Sequence, residues 1–139
     1  MSDFVLDASV ALAWVLDNPI PAYALDVRRA LGNGKRGLVP ALWHLEIANG
    51  LISAERRRNL VGADLIDALA TIHATAMQVL DTDMALITLG EALANARSFQ
   101  LTAYDAVYLN LAQQDRLPLA TLDKRLRTAA TRAGIPAML

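Results

Sequence analysis

The sequence predicts an α/β fold in which a short parallel sheet is covered on both faces by helices. Short apolar segments alternate with longer segments of helical periodicity along the whole chain, which is the order typical of parallel strands joined by helices. Apolar residues make up 55% of the sequence and aromatic residues only 5%. Many of the apolar residues are Ala and Leu, which favour helices. The short segments contain few polar residues, as expected for strands buried on both faces.

Each strand is predicted where a β-prone apolar run ends at an acidic or turn-forming residue. The first run ends at Asp7, the second at Pro40, and the third at the acids Asp81 and Asp83. The predicted strands cover residues 4–6, 37–39, 77–80 and 117–121, and residues 135–139 could add a last edge strand.

The helices are predicted from apolar spacing together with start and stop signals. The first helix covers residues 10–16, capped by Ser9 and stopped by Asp17-Asn18-Pro19, and the second covers residues 21–31, closed by Gly32-Asn33-Gly34. The third covers residues 41–58, and Gly62 opens a fourth with Leu65, Ile66, Leu69 and Ile72 on one face. The last three cover residues 84–98, Thr102 or Tyr104 through Asp115, and residues 123–133, the last stopped by Gly134.

Length and composition exclude several classes of protein. With 139 residues and no linker or repeat, the chain is expected to be one domain. It has no cysteine, which excludes a disulfide scaffold, a thiolate zinc site and a cysteine nucleophile. The longest uncharged run is too short to span a membrane, and the N-terminus lacks the pattern of a signal peptide. We therefore expect a soluble, cytoplasmic protein without a membrane partner.

Four carboxylates fall at strand ends or in early helix turns. Asp7 follows the first strand, Glu46 lies on the helix after the second, Asp105 is in the first turn of the helix before the fourth, and Asp123 follows that strand. Ligands of open α/β sheets bind beyond the carboxyl ends of the strands. Four converging acids repel one another, and a divalent cation removes that conflict. Ligands that are all oxygen favour Mg²⁺ or Mn²⁺, and such a site hydrolyses phosphodiesters by activating water.

Each acid also has a purely structural interpretation. Asp7 could end a strand, Asp105 could be a first-turn acid favoured by the helix dipole, and Asp123 could be an N-cap. Glu46 lies on an otherwise apolar helix face, where an acid is costly unless it is a ligand or paired with an arginine. The nearby polar residues, which could support the site or only cap helices, are Ser9, Asn49 and Thr121.

Four blocks of the sequence resemble PIN-domain ribonucleases, and in particular the VapC-type toxins of toxin–antitoxin pairs. They occur in the family's order and span nearly the whole chain. The blocks are FVLDASVALAWVL with Asp7 and Ser9, VPALWHLEIANGL with Glu46 and Asn49, LTAYDAVYLNLA with Asp105, and LPLATLDKRL with Asp123. The resemblance strengthens the assignment of Asp105 and Asp123, which their positions alone leave open.

The resemblance implies a single PIN-like nuclease domain over residues 1–139, a three-layer sandwich with a parallel sheet of about five strands. It implies an acidic pocket that holds Mg²⁺ or Mn²⁺, with Asp7, Glu46, Asp105 and Asp123 as catalytic residues and metal ligands. It also implies endonucleolytic cleavage of RNA, a homodimer, and silencing by an antitoxin. The antitoxin groove is expected between the helices near residues 10–31 and 41–58, which flank the pocket.

Other residues have no assigned role. His44 is not required by the family pattern, and Asp81 and Asp83 could enlarge the acidic cleft or cap a helix. The triplet Arg56–Arg58 could contact phosphate or acids on a partner, or complement a helix dipole.

Three other classes of protein remain as alternatives. One is a PIN-like module without activity, although such modules usually lack one or more of the acids. A haloacid-dehalogenase-type phosphotransferase would carry an acid where Ser9 stands, and Lys124 is misplaced for a receiver domain.

Overall fold

The structure, a computed structural model, describes residues 3–60, 62–75, 79–81 and 87–139. Within these ranges the chain forms strands and helices that alternate as predicted. The strands are β1 (Asp3–Leu6), β2 (Arg36–Val39), β3 (Val79–Asp81) and β4 (Leu119–Ala120). The helices are α1 (Ala8–Leu16), α2 (Ala22–Gly32), α3 (Leu42–Arg56), α4 (Gly62–Thr75), α5 (Leu89–Phe99), α6 (Ala103–Asp115) and α7 (Lys124–Arg132).

The strands form one parallel sheet in the order β3-β2-β1-β4. Val5 of β1 pairs with Leu38 of β2 on one side and with Leu119 of β4 on the other. The β1 residues Phe4, Val5 and Leu6 are fully buried, which explains why this strand is a continuous apolar run. The predicted parallel α/β sheet is confirmed.

The described part of the chain contributes four strands to the sheet, so the expectation of about five is wrong. The segment expected to form a fifth strand, residues 135–139, pairs with β4 through a single bridge between Ala137 and Leu119. Leu119 donates to the carbonyl of Pro136 and accepts from Met138. Pro136 has no N–H to donate, which limits the length of a ladder at this edge.

The chain reverses its direction across the sheet at β1. From β1 it proceeds outward through β2 to β3, and it then returns to place β4 on the other side of β1. Helix α1 contacts α2, α3 and α4, whereas α6 contacts α5, α7, β1 and β4. The point between β1 and β4 is therefore a topological switch point, where ligands bind beyond the carboxyl ends of the strands. None of the helices described here is long and apolar enough to cross a membrane.

Helix α1 begins two residues earlier than predicted. It starts at Ala8 with Asp7 as the N-cap residue, so the assignment of Ser9 as the cap is wrong. The hydroxyl of Ser9 bonds to the carboxylate of Asp7, and it therefore serves the end of the sheet rather than the helix. Thr102, one of the two predicted starts of the sixth helix, is the N-cap residue of α6 and accepts from the backbone N–H of Asp105. Asp123 accepts from the backbone N–H of Leu126, so its structural interpretation as an N-cap is confirmed.

Some predicted boundaries fall outside the described residues. The third strand was expected over residues 77–80; β3 covers Val79–Asp81, and residues 77 and 78 lie outside. The next helix was expected from residue 84. The described helix α5 begins at Leu89, where Thr88 and Glu91 form a reciprocal capping box that fixes its first turn. Residues 82–86, which include Asp83, lie outside the described residues.

A glycine lets α3 pack closely on α1. A Cβ atom at Gly50 would lie only 2.6 Å from Cδ2 of Leu12 on α1. Glu46 is one turn before Gly50 and therefore lies on the same face of α3, while Asp7 directly precedes α1. The close approach of the two helices thus brings Glu46 toward the end of β1.

Candidate active site

Asp7 is held at the end of β1 by two hydroxyl groups. Its side chain is buried, and its Oδ2 accepts hydrogen bonds from Ser9 Oγ at 2.5 Å and from Thr121 Oγ1 at 2.8 Å. The backbone N–H of Asp7 donates to the carbonyl of Ala120 at 2.9 Å. Because both the backbone and the carboxylate are tied to the β4 side, the orientation of this carboxylate is fixed before any ligand arrives.

The same hydroxyls join the chain after β1 to the chain after β4. Ser9 Oγ accepts from the backbone N–H of Leu122 at 3.0 Å, and Thr121 Oγ1 accepts from that of Asp123 at 3.0 Å. A hydroxyl has one proton to donate, and each of these two is directed at Asp7. Ser9 and Thr121, predicted as supporting residues, are therefore brought into the site by the structure.

Asp123 is at once a helix cap and a neighbour of Asp7. Its Oδ1 accepts from the backbone N–H of Leu126 at 2.9 Å, which caps α7. Its negative charge also contributes to the raised pKa of Asp7. The structural and functional interpretations of this residue are thus compatible, because the carboxylate caps α7 and also lies near enough to Asp7 to raise its pKa.

Glu46 is oriented by a buried tyrosine that the sequence did not indicate. Tyr108 of α6 is fully buried and donates from its hydroxyl to Glu46 Oε1 at 2.6 Å. Burial, followed by the hydrogen bond to Glu46, raises the pKa of Tyr108 far above its ordinary value, so the phenol remains a neutral donor. Tyr108 lies three residues after Asp105, on the same side of α6. That spacing is the signal that could have identified it.

Asp105 lies in the first turn of α6, with its backbone N–H bonded to Thr102 Oγ1 at 3.1 Å. Burial is the main cause that raises its pKa, and the charges of Asp123 and Asp7 raise it further. The hydrogen bond from Thr102 and the positive charge of Arg125 act in the opposite direction. Asp105 therefore belongs electrostatically to the same cluster as the acids at the two strand ends.

Burial and neighbouring charges also raise the pKa values of Glu46 and Asp7. Burial raises the pKa of Glu46, the bond from Tyr108 lowers it, and the charges of Asp7 and Asp105 raise it. For Asp7, burial raises the pKa most, the bonds from its two hydroxyl partners lower it, and the charge of Asp123 raises it. The structure thus brings together all four predicted acids, which lie on four separate segments of the chain.

The donor set fits a hard divalent cation. The four groups are all carboxylates, and their shared negative charge is what a divalent ion would offset. In the described residues no three His, Asp or Glu side chains are arranged as a ready-made metal site. The acids therefore converge without the close ligand geometry of a bound ion.

An open groove adjoins Glu46 on one side of the cluster. It has a volume of about 340 Å³, and it is lined by Leu42, Leu45, Glu46, Asn49 and Tyr104. Asn49 was predicted as a supporting residue, and it faces this groove one turn after Glu46. Its place is therefore at the rim of the cluster rather than among the residues that hold Asp7.

The other residues singled out in the sequence lie away from the four acids. His44 is exposed and packs edge-on against Trp43, with ring centroids 5.1 Å apart. Asp81 ends β3, which is two strands from β1 and thus roughly 10 Å away across the sheet. Arg56 lies ten residues beyond Glu46 along α3, a distance of about 15 Å. The position of the four acids therefore assigns no role to His44, Asp81 or Arg56.

Comparisons with known proteins identify the family. A family model described as "PIN domain" matches residues 4–131. The chain is also similar in structure to the crystal structure of PAE2754 from Pyrobaculum aerophilum, with a TM-score of 0.69 and 22% sequence identity over 92% of this chain and 84% of the other. No curated protein matches the sequence. PIN domains are a nuclease fold whose members are generally metal-dependent. Because the match covers nearly all of the chain, the protein belongs to the PIN-domain family.

Proposed function

We propose that this protein is a Mg²⁺- or Mn²⁺-dependent endoribonuclease that hydrolyses RNA phosphodiesters at the cluster of Asp7, Glu46, Asp105 and Asp123. The observation that carries the proposal is the convergence of these carboxylates at the switch point of the sheet, where burial and neighbouring negative charges raise the pKa values of Asp7, Glu46 and Asp105. A nuclease fold supports the reaction class.

In such a site, some residues would hold the cation and others orient the residues that hold it. Asp7 and Asp105 would hold the cation together with Glu46 and Asp123, and the ion would supply an activated water and neutralise charge on the phosphate. Ser9 and Thr121 fix Asp7 through its Oδ2. Tyr108 fixes Glu46 through its Oε1. These bonds hold two of the four ligands in place before substrate binds, which lowers the cost of assembling the site.

The test is cleavage of a labelled single-stranded RNA by the purified full chain. We expect cleavage with Mg²⁺ or Mn²⁺, none in excess EDTA, and recovery when Mn²⁺ is restored. Asp105→Asn should lower the rate by at least roughly 100-fold, since even outer partners of a metal are worth about 10–100-fold. Asp115→Asn, an exposed acid at the far end of the same helix, is the matched control and should cleave normally.

Two results would contradict this proposal. Undiminished cleavage in EDTA, with contaminating nuclease excluded, would show that the carboxylates do not act through a metal. A folded wild-type chain that cuts no RNA with either ion would favour the alternative of an inactive PIN-like module. The haloacid-dehalogenase alternative has less support, because the second residue after Asp7 is Ser9, whose hydroxyl is bonded to Asp7.

We further propose that the enzyme is the toxin of a type II toxin–antitoxin pair, acts as a homodimer in the cytoplasm, and is silenced by an antitoxin segment. Supporting this, α3 and α4 expose large apolar side chains, at Leu45, Ile52, Ile66 and Leu69. Leu45 also lines the groove beside Glu46. An amphipathic segment could cover this surface and direct an arginine at the carboxylates.

Co-expression with the product of the neighbouring reading frame tests the partner proposal. We expect a co-purifying small protein, a complex whose mass contains two copies of this chain, and loss of cleavage in the complex. A monomer that purifies alone and whose cleavage is unchanged when the neighbour is added would overturn both the dimer and the antitoxin.

A further inference from the structure

A basic pocket adjoins the acid cluster on the side of α7. It has a volume of about 460 Å³ and is lined by Phe99, Gln100, Lys124, Arg125, Thr128 and Arg132. Three of these six residues are cations, and in the part of the chain that the structure describes none of the three forms an ion pair. We propose that this pocket binds backbone phosphates of the RNA strand adjacent to the phosphate that is cleaved, an inference that rests on the proposed function.

The pocket follows one face of α7. Lys124, Thr128 and Arg132 are spaced by four residues and therefore line up along the helix. From the first to the last the helix rises by about 12 Å. All three are exposed. The pocket thus presents an elongated row of donors rather than a single cation, which suits a polymer of phosphates.

Helix stability does not explain the two cations at the start of α7. Lys124 and Arg125 occupy its first turn, which contains no acidic residue. Positive charges at a helix N-terminus are disfavoured by the helix dipole. Arg132 lies in the last turn, where the dipole favours a cation, and its guanidinium also packs over the Phe99 ring at 5.7 Å. The helix dipole therefore does not account for Lys124 and Arg125, and the charge of Arg125 acts instead on Asp105 of the acid cluster.

The pocket lies close to the acid cluster. Helix α7 begins immediately after Asp123, and the charge of Arg125 lowers the pKa of Asp105. A strand whose scissile phosphate lies on the carboxylates would have its next phosphates beside α7. Those phosphates need cations close by, because the chain as a whole carries a formal charge of −1 and the acids themselves repel a polyanion.

The chemistry of the lining favours a nucleic-acid backbone over an acidic protein segment. Lysine and arginine bind phosphates strongly, and the amide of Gln100 and the hydroxyl of Thr128 are further donors of the kind that contact phosphate. A protein segment would need an apolar anchor at the centre of its contact. The guanidinium of Arg132 already covers the ring of Phe99, the aromatic residue of the pocket. Phe99 is therefore not free to serve as that anchor.

The test measures binding rather than cleavage. A fluorescein-labelled single-stranded RNA is titrated, with Mg²⁺ present and at several salt concentrations, into the full chain carrying Asp105→Asn, which keeps the strand intact. Lys124→Gln/Arg132→Gln is compared with Arg28→Gln/Arg29→Gln on α2, which removes the same charge. We expect the pocket variant to bind about ten-fold more weakly, with a salt slope shallower by roughly 0.7 per removed cation. The α2 variant should bind as the parent does.

Rescue separates phosphate binding from a structural role. Lys124→Arg/Arg132→Lys preserves both charges and should restore affinity and slope, whereas the glutamine variant should retain the circular dichroism and melting temperature of the parent. Equal RNA binding by the pocket variant and the α2 variant would overturn the proposed phosphate pocket. The proposed function would still stand in that case if the wild type cleaves RNA. Failure of the wild type both to bind and to cut RNA would overturn both. If Lys124→Gln/Arg132→Gln binds RNA as the parent does but loses binding to a polyglutamate peptide, the pocket would be assigned to an acidic protein instead.

Discussion

Tyr108 and Glu46, which are 62 residues apart in the sequence, are joined by a hydrogen bond of 2.6 Å between the tyrosine hydroxyl and Oε1 of the glutamate. The bond crosses from α6 to α3, the two helices that carry Asp105 and Glu46. Tyr108 is fully buried, so its ring cannot move without disturbing the core. The phenol therefore sets the position of Glu46 relative to the acids at the ends of β1 and β4.

Tyr108→Phe should lower the rate of RNA cleavage by about 10–100-fold, the range measured for outer partners of metal ligands. The bond lowers the pKa of Glu46, so its loss should raise that pKa. The acidic limb of the pH–rate profile should consequently move to higher pH. The profile of kcat/KM against pH checks this.

Tyr104→Phe is the matched control, since Tyr104 lies on the same helix and is exposed. It should leave the acidic limb in place. A Tyr108→Phe enzyme with the wild-type rate and the wild-type acidic limb would remove Tyr108 from the site. The expected loss of unfolding free energy is about 1.5–3 kcal/mol, the range for a hydrogen bond to a charged group, and circular dichroism checks that the variant is folded.

Thr121→Val should weaken Mn²⁺ binding by roughly 10–100-fold with little change in side-chain volume. The substitution removes one of the two hydroxyl donors to Asp7 and the acceptor of the Asp123 backbone N–H. Calorimetric titration with Mn²⁺ measures the effect. Thr131→Val, which removes an exposed hydroxyl bonded to the backbone of Arg127, is the control, and similar Mn²⁺ affinities in the two variants would refute the role of Thr121.

The metal-free protein should lose stability as the pH rises. Burial and mutual repulsion raise the folded-state pKa values of Asp7, Glu46 and Asp105. The folded state therefore binds more protons than the unfolded state above the unfolded pKa values, about 4. The free energy of unfolding should fall from about pH 4 up to the raised folded pKa values. Urea denaturation in EDTA at a series of pH values measures this fall.

Asp105→Asn removes one of the repelling charges and should make that pH dependence shallower. In the wild type at neutral pH, Mn²⁺ at about 100 times its dissociation constant should restore roughly 2.7 kcal/mol. A metal-free stability that rises with pH over the same window would contradict the electrostatic description of the site.

The convergence of the four acids was easier to predict from the sequence than the contacts around them. Asp7 was recognisable because it ends an apolar run, and Glu46 because it interrupts an apolar helix face. Asp105 and Asp123 are ordinary first-turn and N-cap residues by local rules, and indeed Asp123 caps α7. Only the order of the four blocks distinguished them, since local patterns contain no information about which strand ends meet.

Contacts between distant segments account for what was missed. Tyr108 resembles a core aromatic residue in the sequence, and its role is visible only in the bond that its hydroxyl donates to Glu46 of α3. Ser9 was assigned as a cap because a serine before a helical run is usually one, but its hydroxyl instead bonds to Asp7 and to the backbone of Leu122. Both depend on tertiary pairings that residue spacing within one segment does not specify.

Direct titration of Mn²⁺ into the purified full chain tests the central claim, that these carboxylates together form a divalent-metal site. We expect saturable binding to the wild type at neutral pH, retained by Asp115→Asn and lost or weakened at least roughly ten-fold in Asp7→Asn and in Asp105→Asn. Equal Mn²⁺ affinity in the wild type, Asp7→Asn and Asp105→Asn, with all three folded, would contradict it.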